Sequence, residues 1–316
     1  MGEETGIAWT DHTFNPWIGC QRVSPGCEKC YAERFVVHGR MQLSVWGPPS
    51  TTPRKRTAPS TWKQPLAWNR AAQKAGKRAR VFCASLADVF EDHPMVAPWR
   101  MELFALIEEC TWLDWQLLTK RPENLLRFLP QRWIEKPLSH VWLGTTVEDQ
   151  KRADARIPHL LSTPAAVRYL SCEPLLEAIE LTCLAISPRC AVCGRQPIAN
   201  AFTCTERCEC TVEDAEPLAW GPLHWIIVGG ESGFSARPFD ITWASHTLMR
   251  CRDYEVACFI KQLGDNPVAW YINRAREHLP GGGLYQARYT VRASKGGDPI
   301  EWPEALRVRQ FPESRA

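Results

Sequence analysis

The sequence predicts an α/β protein: a partial or irregular (βα) TIM-like barrel carrying a small zinc-binding insertion. Three observations lead there. From residue 80 onward, short apolar, β-branched or aromatic runs recur; amphipathic stretches of helical spacing separate them; and each run ends in charged or hydroxyl residues. Parallel strands look like this where they open into functional loops. At 316 residues and 45% hydrophobic content the chain suffices for one large domain with an insertion, which excludes a disordered or fibrous protein.

Taken in order, GIAWTDHTF (6–14) reads as a first strand. Residues 39–79, rich in Pro, Trp and basic side chains, read as a long insertion at the mouth or rim. The runs RVFCASLADVF (80–90), WQLLTKRPENL (115–125), HVWLGTTVEDQ (140–150), VRYLSCEPLL (167–176), HWIIVGGESG (224–233) and VACFIKQLG (256–264) read as buried strands. Helical spacing covers 97–113, 148–163 and 242–254, despite Pro158. The count is about seven units, short of the regular eight. Residues 1–181 and 223–280 are thus assigned to the barrel. Residues 182–222 form a cysteine-rich insertion, and the turn-rich 281–316 a C-terminal cap with a short hairpin.

In a barrel the loops after the strands gather at one mouth. There the sequence places Asp88, Lys120 with Arg121, Glu148, Ser171 with Glu173, Gly229 and Gly230 before Glu231 and Ser232, and Lys261 with Gln262. The competing reading makes some of them helix caps or ion pairs. A formal charge of +3 neither demands nor excludes a nucleic-acid partner. No basic segment precedes an apolar run at the N-terminus, and no window reaches eighteen apolar residues, so a cytoplasmic protein with no membrane partner is expected.

In a reducing compartment fourteen cysteines are buried hydrophobes or metal ligands rather than disulfides. GCQRVSPGCEKCYAERF holds Cys20, Cys27 and Cys30 in a C-x6-C-x2-C pattern after the first strand. A closed zinc site needs a fourth ligand, for which His12 or His38 is available. A [4Fe-4S] cluster on three thiolates instead leaves one iron open for S-adenosylmethionine, giving radical chemistry that no side chain supplies. Cys83 or Cys172 could close that position. In the insertion, four of Cys190, Cys193, Cys204, Cys208 and Cys210 suit a structural Zn2+ staple.

The ordered strings AWTDHTFNPWIGC, CEKCYAERF, LLTKRP, VEDQKRADARIPHLL, LSCEPLL, IIVGGESG and FIKQLG resemble the phage-encoded three-cysteine-motif family of radical-SAM-like proteins, over most of residues 6–265. The resemblance implies a barrel of the radical-SAM type, a [4Fe-4S] cluster on the three cysteines, S-adenosylmethionine as cofactor, and a partner protein encoded beside it. The first gap is longer than the usual C-x3-C-x2-C. The Gly-Gly-Glu string of that superfamily normally follows the second strand, so its methionine-binding role is not carried over to residues 229–231. Lys120, Arg121, Glu148 and Glu173 are the catalytic candidates, the two acids for ribose hydroxyls and the two bases for a carboxylate or phosphate. Asp88, Ser171, Gly229, Gly230, Glu231 and Ser232 are the cofactor-binding candidates. A nucleic acid or nucleotide substrate is expected from phage association and from Arg54, Lys55, Arg56, Trp62, Lys63, Trp68 and Arg70, whose aromatics between cations suit bases and phosphates. The alternative is a non-catalytic zinc- or iron-sulfur-binding protein that binds nucleic acid or a partner.

Overall fold

The computed structural model describes residues 5–39, 41–181, 222–272 and 284–312. The zinc-staple cysteines Cys190, Cys193, Cys204, Cys208 and Cys210, with nearly all of the insertion assigned to 182–222, lie outside the described residues.

Seven strands form one wholly parallel sheet, ordered β1 (His12–Phe14), β4 (Ala79–Cys83), β5 (Leu113–Thr119), β6 (Val141–Thr146), β7 (Val167–Cys172), β8 (Trp225–Gly229) and β10 (Ala257–Gln262). The sheet curls into a half-barrel. Two-residue strands β2 (Trp17–Ile18) and β3 (Lys55–Arg56) pair beside it. A second sheet joins β9 (Phe239–Asp240), β11 (Pro267–Ile272) and β12 (Leu284–Arg288). β11 pairs antiparallel with β12, so the boundary drawn at 280 cuts between two partnered strands. Beyond that boundary Trp302 and Leu306 are buried in the core.

Helices supply the crossovers that parallel pairing requires. A single turn, α1 (Tyr31–Glu33), widens into a π-helical turn over Arg34–His38. α2 (Pro59–Ala75) follows, then α3 (Val96–Glu109), the short α4 (Leu125–Phe128) and α5 (Gln131–Glu135), α6 (Gln150–Leu161) and α7 (Ile241–Asp253). The segment read as an insertion is therefore largely the first crossover. α2 starts with Pro59 at its first position and ends at Gly76, whose positive φ of 63° closes the helix. Asp149 and Asp240 cap α6 and α7 by accepting from the backbone N–H of Arg152 and Thr242. No helix among the described residues is long and apolar enough to cross a membrane.

Alternation along each strand divides the core. Val81, Trp115, Leu143, Leu170, Ile226 and Ile260 point to the helices. Phe82, Trp142, Tyr169, Trp225, Ile227 and Phe259 point inward with Trp9. Trp225 is the hub of this inner group, its ring centroid 5.4 to 6.1 Å from those of Trp9, Trp142, Tyr169, Phe259 and Phe311. The concave side is thus filled with aromatic rings, and the ends of the strands above them stay open.

Candidate functional site

A cavity of about 280 Å3 opens at the carboxyl ends of the strands. Trp9, Phe82 and Leu118, which belong to or pack on the inner aromatic group, also line it. Cys20, Cys27 and Cys30 all line it, as do Asp88, Lys120, Arg121, Ser171, Glu173, Gly230, Glu231 and Ser232. Eight of the ten catalytic and cofactor-binding candidates therefore meet the three thiols in one place. Glu148 and Gly229 are not on its wall.

The thiol loop owes its course to local sequence. β2 ends at Ile18, and Gly19 follows at φ +117°, where a Cβ would stand 2.4 Å from the Val45 carbonyl oxygen and 2.7 Å from Arg54 Cδ. Only glycine passes there. Pro25–Cys27 make a 3-10 turn, and Cys30 sits at the start of α1.

Side chains from three other strand ends then hold the loop. After β5, Arg121 donates to the Gln21 carbonyl at 2.8 Å and to Cys20 Sγ at 3.6 Å. Its remaining contacts are Asp88 at 2.9 Å and Glu91 at 3.4 Å. After β6, Glu148 accepts from the Gly26 N–H at 3.2 Å while paired with Arg156 at 2.8 Å. After β8, Arg237 donates to the Pro25 carbonyl at 3.0 Å, to Glu28 at 3.2 Å and to Glu231 at 2.6 Å. Arg34 returns the contact by donating to the Ser232 carbonyl at 2.9 Å.

These partners redistribute the roles expected from sequence. Arg121 and Asp88 are buried and spent on one another, with Asp88 also accepting from Thr119 Oγ1 at 2.7 Å and the Lys120 N–H at 3.1 Å. Glu148 is fully buried beneath the loop. Burial raises its pKa, but Arg156, Lys120 and the hydrogen bonds from Ser24 and Gly26 outweigh that and hold it below the usual range. Gly230 is a close-approach residue: a Cβ would lie 2.3 Å from the Leu263 carbonyl oxygen. Glu173 pairs with Lys261 on the cavity wall, and Lys120 Nζ reaches Thr146 Oγ1 at 3.3 Å.

Cys20 and Cys30 are largely withdrawn from solvent. Burial pushes Cys20 up to about 12 against the opposing pull of Arg121, and burial also raises Cys30. Left alone Cys20 and Cys30 stay protonated; metal coordination is what removes the proton from such a thiol. Among the described residues no three His, Cys, Asp or Glu side chains gather closely enough for one metal ion. A cubane does not ask for that, since each thiolate binds its own iron.

The candidates for a fourth protein ligand lie elsewhere. His12 stacks on Trp68 with centroids 4.4 Å apart, Cys83 and Cys172 belong to the helix-facing core, and His38 closes the π-helical turn. None of the four lines the cavity.

The expected nucleic-acid contacts of residues 54–70 are not at this mouth. Arg54 is buried and doubly bonded to Glu91 at 2.8 and 2.9 Å. Trp62 packs on the core and donates to the Pro16 carbonyl at 3.2 Å, and Trp68 packs beside it. Arg56 lies over Trp62 and pairs with Glu102, while Lys55, Lys63 and Arg70 face solvent. Sequence reasoning also missed Tyr31, Lys29 and Lys295 on the wall and Arg237 behind it. Only the neighbourhood of Tyr31 and Lys29 to the cysteines could have flagged them.

Fold and site define an α/β half-barrel protein with a three-thiol pocket at the carboxyl ends of its strands. The chain belongs to the family described as "Protein of unknown function (DUF5131)", whose model matches residues 4–294. No curated protein and no solved structure matches it.

Proposed function

We propose that the protein is a radical-SAM-like iron-sulfur enzyme, in which Cys20, Cys27 and Cys30 hold a [4Fe-4S] cluster and S-adenosylmethionine takes the open iron. The observation that carries this reading is the cavity wall itself: three thiols line it, and His12, His38, Cys83 and Cys172 do not. The sequence resemblance to three-cysteine radical-SAM-like proteins points the same way. When bound, the pair supplies one-electron cleavage of a sulfonium and a carbon radical to the substrate.

The chain's own part is to shape and hold. Arg121 donates toward Cys20 Sγ, and a cation so placed favours thiolate over thiol. Arg121, Glu148 and Arg237 fix the loop from three sides, so the three sulfurs keep their spacing without a fourth protein ligand. Trp9, Phe82 and Leu118 exclude water from the floor. Glu173, held by Lys261, is the wall carboxylate placed to accept hydroxyls of a bound ligand.

The test is anaerobic purification with iron, sulfide and zinc analysis, and electron paramagnetic resonance of the reduced protein before and after S-adenosylmethionine is added. About four iron atoms per chain and a spectrum perturbed by the cofactor are expected. Cys20→Ala, Cys27→Ala and Cys30→Ala each lose the iron, whereas Cys190→Ala, in the proposed zinc staple, retains it. Zinc in place of iron after reconstitution sinks the proposal.

A further inference from the structure

The cavity carries more positive charge than its own carboxylates balance. Asp88 is paired with Arg121, Glu173 with Lys261, and Glu231 with Arg237. Lys29, Lys120 and Lys295 also line the wall, and among the described residues none of the three has a carboxylate within ion-pair distance. Lys120 Nζ has Thr146 Oγ1 at 3.3 Å, and Lys29 donates to the Ser235 carbonyl.

The groups proposed above absorb only part of this excess. An oxidised cubane on three thiolates has one net negative charge, and S-adenosylmethionine has none once its amine has given up its proton to bind iron, so together they offset one ammonium and leave two. Cations on a cavity wall with no direct ion-pair partner concentrate an anionic ligand.

A second feature lies on the turn that follows the wall residue Ser232. Phe234 is 95% exposed, on the turn between Gly233, which packs on the Arg34 guanidinium, and Ser235, which holds Lys29. Tyr31, half exposed, lines the cavity itself and is fixed through its hydroxyl to the Ser85 carbonyl at 2.9 Å. Flat apolar faces beside cations suit planar rings that carry phosphate.

We infer that the cavity binds a nucleotide, free or within a single strand, with its phosphate toward Lys29, Lys120 and Lys295 and its base against Tyr31 and Phe234. This rests on the proposed function for what happens next, but the binding does not.

Fluorescence anisotropy of a labelled 5′-phosphorylated single-stranded dodecamer tests it on the purified full chain. Unlabelled mononucleotide, the matching nucleoside and inorganic phosphate serve as competitors. Nucleotide or strand should compete at least about tenfold better than nucleoside or phosphate, and strand affinity should fall with salt. Phe234→Ala, whose side chain supports no core, should weaken binding about threefold or more. Lys120→Ala and Lys295→Ala should do the same. A mononucleotide matching the strand marks a free nucleotide as ligand; a strand at least tenfold tighter marks the polymer.

No binding to protein with its full metal complement, equal competition by nucleoside, equal competition by phosphate, or full affinity in all three variants overturns the inference. Iron with no nucleotide binding removes this inference alone, and nucleotide binding without iron removes the enzyme reading alone.

Discussion

At the residue scale the most constrained group is not a cysteine but Arg54. Its guanidinium is fully buried and spends every donor on Glu91 and on the carbonyls of Val45, Gly47, Thr52 and Pro53. Glu91 passes the constraint on to Arg121 at 3.4 Å, and Arg121 to Asp88 and the cysteine loop. Such a chain of buried charges is tolerable only while every member is paired. Arg54→Met removes the bidentate partner and leaves Glu91 with a single long contact. We expect a loss of about 3–5 kcal/mol, the usual cost of stranding one member of a buried pair. Urea unfolding reads it directly, and a loss below about 1 kcal/mol would show that the network reorganises around the gap.

At the scale of elements, His140 joins helix to strand. Its ring donates from Nε2 to the Ile107 carbonyl of α3, 3.0 Å away, and its own carbonyl receives the Trp115 N–H of β5 at 2.8 Å. Burial lowers its pKa below the ordinary histidine value, more than the Ile107 hydrogen bond raises it. A histidine depressed in the folded state contributes stability that is fully present above its unfolded value, near 6.5, and lost as pH falls from there through the folded value. The unfolding midpoint of the wild type should therefore decline faster below pH 6.5 than that of His140→Gln. Parallel curves for the two would refute the assignment.

The same scale shows what the sequence could disclose. The six strands from β4 to β10 of the main sheet were legible because each is buried on both faces and reads as a continuous apolar run. α2 was hidden by Pro59, Pro65 and its many polar residues, so a crossover passed for an insertion. β2, β3 and β9 are two residues each and leave no period to detect. The polar strand ends were legible as a ring, but their division of labour was not. Glu148 and Arg121 look catalytic in sequence, yet they meet residues 122 and 100 positions away in the cysteine loop. Such pairings follow from the curl of the sheet, which local patterning does not encode.

For the molecule as a whole, the half-barrel has two sheet edges, β1 and β10, and on the β10 side the edge and the aromatic interior both need covering. One segment answers both. The Ile260 N–H donates to the Val308 carbonyl at 2.9 Å and the Gln310 N–H to the Cys258 carbonyl at 2.9 Å, so the tail covers the β10 edge. Phe311 then enters the aromatic group, 5.4 Å from Trp225 and 5.3 Å from Phe259, with the Arg80 guanidinium of β4 over its ring at 3.9 Å. Edge and interior are thereby closed by residues beyond 294, outside the matched family region. An uncovered edge pairs with other chains, and uncovered rings associate. Removing residues 306–316 should therefore lower the unfolding midpoint and produce concentration-dependent association in size-exclusion chromatography. Phe311→Ala, which keeps the edge covered, should lower the midpoint less and leave the protein's association state unchanged. A truncated chain with the wild-type midpoint and elution volume would mean that the half-barrel closes itself, and the tail would lose the role assigned to it.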